Sequence, residues 1–157
     1  MQATTDPRGL AGDLYALLVY LHKDCTADLF EALGALELTI SQTKLLQKLE
    51  HVDGEVTLKH VGELLGLSLP AASRAVDDLV RRGMVERHED TEDRRCKRVR
   101  LTEPGSAAIR QLNAARLNDL EQFTTTLTDG ERGTLVAALD QLLRRPAIAV
   151  CRPEETL

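Results

Sequence analysis

The sequence predicts a mainly α-helical fold with one small β-wing, and three observations carry that expectation. Apolar residues recur at helical spacing along most of the chain. The run of residues 57–101 reads as helix, tight turn, helix and then a two-stranded hairpin. Five of the seven residues from Arg94 to Arg100 are basic, so the hairpin is also an arm of positive charge. A chain of 157 residues suits one domain with a real core. Its 43% hydrophobic and 29% charged content is that of a soluble globular protein rather than a disordered one.

The helix pair is built from local signals. Thr57 is a good N-cap, and Leu58, Val61, Leu64 and Leu65 make an apolar face behind it. Gly66 suits the left-handed position that ends a helix. Ser68 can cap the next helix, and Pro70 falls in its first turn, where a missing N–H costs nothing. Ala72, Val76, Leu79 and Val80 then repeat at helical spacing, with Ala71, Ser73, Arg74 and Asp77 toward another face. Arg81 and Arg82 suit the C-terminus, and Gly83 ends the helix. Two helices joined by a short turn containing glycine form a helix-turn-helix, whose second helix can enter the DNA major groove. The same pattern also describes a helical hairpin that merely packs.

The hairpin that follows favours the first reading. Val85 to His88 can pair with Lys97 to Leu101, placing Val99 and Leu101 on one face and Arg98 and Arg100 on the other. A long hairpin tipped by arginines can reach phosphates and a minor groove.

The run LGLSLPAASRAVDDLVRRGMVERHEDTEDRRCKRVRLTEPG resembles the winged helix-turn-helix of the MarR family of bacterial transcriptional regulators. The landmarks are LGLS, Arg74, Val76-Asp77, Leu79, Gly83-Met84-Val85, Asp93-Arg94-Arg95 and Leu101-Thr102. LTISQTKLLQKL, at Leu38 to Leu49, also looks like the family's segment before the motif. The resemblance implies a MarR-type domain over residues 10–145, with the helix-turn-helix at 57–82, the wing at 84–101 and tails at 1–9 and 146–157. It implies dimerisation helices at 10–33 and 103–145. It also implies a homodimer on a pseudo-palindromic double-stranded DNA operator, released by a small-molecule effector or an oxidant, and repression rather than activation. The alternative is a winged-helix protein-interaction module without specific DNA binding.

Residues are assigned accordingly. Ser73 and Arg74 are placed in the groove, since arginine can pair with two acceptors on guanine. Pro70 and Ala71 face the DNA backbone or a thymine methyl group. Leu69 stands where similar proteins usually carry a polar residue. The family's Asp-x-Arg pattern falls on Asp93 and Arg95, implying Arg95 in the minor groove and Asp93 bracing it, with Arg94 as a second cation. Lys97, Arg98 and Arg100 are assigned to phosphates, with the helix start at Thr57. Asp77 is expected to orient a nearby arginine rather than to read DNA.

The net charge of −5 argues against nucleic acid only until its distribution is read. Residues 57–101 hold ten Lys and Arg against eight Asp and Glu, while the remainder holds ten against seventeen. Binding follows the local field. Cys25, Cys96 and Cys151 show no CxxC spacing and no cluster with the four histidines, so no metal or cofactor is implied. Cys96, among wing cations that favour a thiolate, and Cys25 are the candidate redox residues. No nucleophile–base pair or Gly-rich phosphate loop points to an enzyme. The absence of a signal-peptide core or bilayer-length apolar run gives a cytoplasmic expectation without a membrane partner.

Outside the motif, Leu10, Leu14, Leu17, Leu18, Leu21, Leu29 and Leu33 predict a long first helix interrupted around Asp24 to Asp28 and ended by Gly34. A second helix is expected from Thr39 to Glu50, and Val56 as a short third strand. Thr102 can cap a helix of about six turns. Thr128 and Glu131 make a capping box for a last helix, which Pro146 stops. Leu135, Leu139, Leu142 and Leu143 are its expected inner face.

Overall fold

The computed structural model describes residues 6–52, 54–90 and 96–152. In chain order the elements are α1 (Pro7–Asp24), α2 (Ala27–Ala35), α3 (Ile40–Glu50), β1 (Val56–Thr57), α4 (Leu58–Leu65) and α5 (Leu69–Arg81). They continue with β2 (Val85–Glu89), β3 (Lys97–Leu101), α6 (Glu103–Thr126), α7 (Asp129–Leu143) and α8 (Pro146–Ala149). The chain divides into two compact units, one of residues 31–112 and one of residues 1–30 with 113–157.

The unit of residues 31–112 is a winged helix. β3 lies between β1 and β2, antiparallel to both, with Val56 opposite Val99 and Val85 opposite Leu101. The expected third strand is therefore present, and β2 runs one residue beyond His88. The described apolar core belongs to this unit: Leu45, Leu46, Val61, Val76, Leu79, Val85, Val99, Ile109 and Leu112 are all fully buried. Each of the larger side chains contributes roughly 1.5–3 kcal/mol by leaving water.

Its turns follow the local chemistry. Gly66 and Gly83 take positive φ of 64° and 68°, a conformation that costs other residues strain. Thr57 accepts from the His60 N–H and Ser68 from the Ala71 N–H, so both helices of the motif start on their expected caps. Thr39 and Gln42 form a reciprocal capping box on α3. Thr102 ties the base of the wing together: its N–H donates to the Met84 carbonyl at 3.2 Å and its hydroxyl to the Gly83 carbonyl at 2.6 Å.

The other unit holds the terminal helices. Asp119, only 3% exposed, accepts the backbone N–H groups of Asp28 and Leu29, both at 3.1 Å. A carboxylate from α6 thus caps α2, satisfying donors that a helix start leaves unpaired. Tyr20 and Phe123 meet with ring centroids 5.9 Å apart.

Four expectations are corrected. The first helix begins at Pro7 rather than Leu10, because Asp6 caps it through the Gly9 N–H and a proline is favourable at a first helical position. Gly34 does not end α2 but lies inside it; the chain turns at Glu37, with φ 49°. Pro146 starts α8 rather than stopping α7, so the region assigned to a tail at 146–157 begins with a helical turn. The apolar residues of α7 do not form a covered inner face: none is buried, and Leu139 and Leu142 stand 43% and 45% exposed. The expected interruption of the first helix is present, between Asp24 and Ala27.

Candidate nucleic-acid interface

The face of α5 opposite its buried stripe is the centre of the candidate interface. Ala72, Val76 and Leu79 have no exposed surface, so helical geometry turns Pro70, Arg74, Asp77 and Arg81 the other way. Pro70 and Arg74 are exposed, Ala71 and Ser73 half-buried. Arg74 has no hydrogen bond or ion pair among the described residues, which leaves its guanidinium available to a ligand.

Its neighbours are engaged within the protein. The Ser73 hydroxyl donates to Asp77 at 3.4 Å, and Asp77 pairs with Arg87 on β2 at 2.5 Å. Asp77 thus has the kind of partner foreseen for it. Arg87 carries no signal of this role in the sequence, because nothing in a strand pattern tells which helix its side chain will meet.

Two further contacts fix α5 from behind. The buried Gln42 amide donates to Asp78, and its carbonyl oxygen accepts from the Thr39 N–H at 2.8 Å. Asp78 also accepts from Arg81 at 2.7 Å; Arg81 first, and Gln42 after it, holds this carboxyl below its ordinary range. Arg82 reaches back to the chain after α2, donating to the carbonyls of Leu36 at 2.7 Å and Glu37 at 3.0 Å. It therefore satisfies carbonyls of the turn that follows α2, beyond any role at its own C-terminus.

The strands of the wing carry their cations in pairs with carboxylates. Lys97 bonds Glu89 at 2.7 Å, Arg98 bonds Asp90, and Arg100 bonds Glu86. Asp90 is nearly buried and holds the Arg98 guanidinium more firmly protonated than usual. All three cations still present surface to solvent. The Asp90 N–H donates to the Cys96 carbonyl at 3.0 Å, closing the hairpin below its tip. Asp93, Arg94 and Arg95 lie outside the described residues. Thr57 spends its hydroxyl on capping α4.

Cys96 is half-buried at the start of the returning strand segment, and Cys25 is the C-cap of α1, its N–H donating to Leu21. The described cysteines form no disulfide. No group of three or more His, Cys, Asp or Glu among the described residues could hold a metal ion. Among the described residues, no helix is long and apolar enough to cross a membrane.

Comparison with known proteins bears on the same region. A family model described as MarR family matches residues 36–95. The crystal structure of wild-type MarR from Escherichia coli, without ligand, is 31% identical, covering 83% of this chain and 96% of that one at a TM-score of 0.61. The chain belongs to the MarR family. A mutant of the same E. coli protein, complexed with operator DNA, is 28% identical over 88% of this chain and 99% of that one, with a TM-score of 0.54. Among curated proteins, the transcriptional repressor MprA of E. coli K12 is 37% identical over 81 residues, 52% of this chain. The matched stretch is 46% of MprA, so the chain spans about half the length of that relative.

Proposed function

We propose that this MarR-family protein is a DNA-binding transcriptional regulator, acting as a repressor, whose α5 enters the major groove of an operator. The observation that carries the reading is the solvent face of α5, where Arg74 stands exposed and without a partner among the described residues, on a helix held by Gln42, Arg82 and Arg87. A rigidly placed helix with an open guanidinium suits base-edge recognition. Pro70, Ala71 and Ser73 supply the neighbouring contacts. Thr57, Lys97 and Arg98 meet phosphates, the two cations exchanging part of their carboxylate pairing for phosphate oxygens. Asp93, Arg94 and Arg95 complete the wing.

The working form is a homodimer on a pseudo-palindromic site. In the unit of residues 1–30 and 113–157 no described apolar side chain is fully covered, and Leu14, Leu18 and Leu139 stand exposed. Apolar faces of this extent ask for a partner, and a two-fold copy matches a two-fold operator. Residues 10–22 and 120–145 form most of that interface. Release follows when a small effector or an oxidant changes the separation of the two α5 helices.

The test is a fluorescence anisotropy titration against the protein's own upstream region, with competitor DNA and a salt series. Saturable binding that survives competitor, with affinity falling steeply as salt rises, is expected. Removing Arg74 should cost about 1–3 kcal/mol and relax specificity at one position, whereas removing Arg95 should weaken binding and reduce its salt dependence. Absence of binding even at low salt hands the case to a protein-interaction module. A monomer by light scattering at micromolar concentration would refute the dimer.

A further inference from the structure

Leu69 opens α5 and is 54% exposed. Within residues 31–112, the large apolar side chains left this open among the described residues are Leu69 and Ile40. The remainder of that unit's large apolar groups are half-buried or buried, so an exposed leucine at the tip of this helix is an exception.

Local structure does not require it. Ser68 supplies the cap through the Ala71 N–H, and Pro70 supplies the preset backbone of the first turn. The packing face of α5 is made by Ala72, Val76 and Leu79, to which an exposed side chain adds little. Leu69 lies one turn before Ser73 and two before Asp77, in a line along the helix. The polar members of that line are engaged by protein partners, Ser73 by Asp77 and Asp77 by Arg87. The foremost side chains, Leu69 and Pro70, are both apolar and exposed.

Residues at the N-terminus of a groove-reading helix are those that contact base edges. The one apolar group a base pair presents in the major groove is the 5-methyl of thymine. We propose that Leu69 is a specificity-determining residue that packs on a thymine 5-methyl group in each half-site, beside the bases read by Arg74. This rests on the reading that α5 enters the major groove. A cytosine there would present an amino group to the leucine, desolvating a donor without supplying an acceptor.

The experiment starts from the full chain and a random-sequence DNA pool. The enriched site is remade with each thymine of a half-site replaced in turn by uracil, which keeps the base pair and removes the methyl. Affinity should fall about fourfold for each contacted methyl, and about 15-fold when both half-sites are changed, from the free energy of burying one methyl group. Leu69→Ala should bind the thymine site correspondingly more weakly and lose its sensitivity to uracil. Its fold should be unaffected, since the side chain is exposed, and circular dichroism checks this. If the wild-type chain binds the uracil sites as tightly as the thymine site, the role of Leu69 is overturned while DNA binding stands. Equal uracil sensitivity in Leu69→Ala overturns it as well. A pool in which nothing is enriched overturns both Leu69 and the DNA reading.

Discussion

Replacing Gly105 by alanine should destabilise the protein, although Gly105 is helical and alanine is the better helix former. Gly105 is buried in the first turn of α6, against the base of the wing. A Cβ there would lie 2.1 Å from the Met84 carbonyl oxygen and 2.7 Å from the Leu101 side chain. The Met84 oxygen belongs to the backbone and cannot swing aside; it also accepts from the Thr102 N–H. Helix propensity favours alanine by about 1 kcal/mol. Forcing extra volume into a packed site costs about 1–3 kcal/mol, and contact with backbone places this case at or beyond the upper end. The net loss should be about 2 kcal/mol, lowering Tm by roughly 4–8 °C for a chain of this size. Thermal unfolding followed by circular dichroism reads it directly. Gly34→Ala is the control: a Cβ in α2 at that position meets nothing within 4 Å. It should gain up to about 0.5–1 kcal/mol. A Gly105→Ala protein melting at or above wild type would refute the reasoning.

Three other outcomes are expected. Asp119→Ala should cost about 1–2 kcal/mol by leaving the Asp28 and Leu29 N–H groups without their cap, while Asp119→Asn should cost less, a difference visible in urea midpoints. An unchanged midpoint for the alanine variant would remove Asp119 from the stability of α2. A double-mutant cycle on Asp77 and Arg87, each partly open to solvent, should return a coupling of about 0.5–1 kcal/mol. A null coupling would mean that this pair does not hold α5 to the strand. Acid should destabilise: Lys97 beside Glu89, Arg81 beside Asp78 and the Thr128 cap on Glu131 all hold carboxyls below their ordinary values of 4.5 for Glu and 3.8 for Asp. Folding therefore favours the charged forms. Their contribution is complete above the ordinary carboxylate range and is lost as pH falls through the depressed values. Melting temperature should be flat from neutral pH down to about that range and decline below it; a rise on acidification would contradict the pairing.

Much of the architecture is written locally. Thr57, Gly66, Ser68, Pro70 and Gly83 each impose a cap or a turn through their own backbone chemistry, so the helix-turn-helix is readable without knowing what packs on it. The alternation of Val99 with Arg98 and Arg100 and the Thr128–Glu131 box have the same character. The misplaced boundaries arise where two local signals compete. Pro146 is a signal for an end or for a start and here opens α8, after α7 has stopped at Leu143; Gly34 could have ended α2 but did not, since the turn falls later at Glu37. What the residue order could not show is pairing across distance. Arg87 with Asp77, Gln42 with Asp78, Arg82 with the chain after α2, and Asp119 with the start of α2 join groups whose charges suit many partners equally. Only the packing of the helices selects among them. The same packing decides exposure. Local caps and periodicity set which residues form α5, because they act through neighbouring backbone; packing across the fold sets which of them stay open, leaving Arg74 without a partner among the described residues while Asp77 pairs with Arg87, and Leu69 54% exposed at the start of the helix.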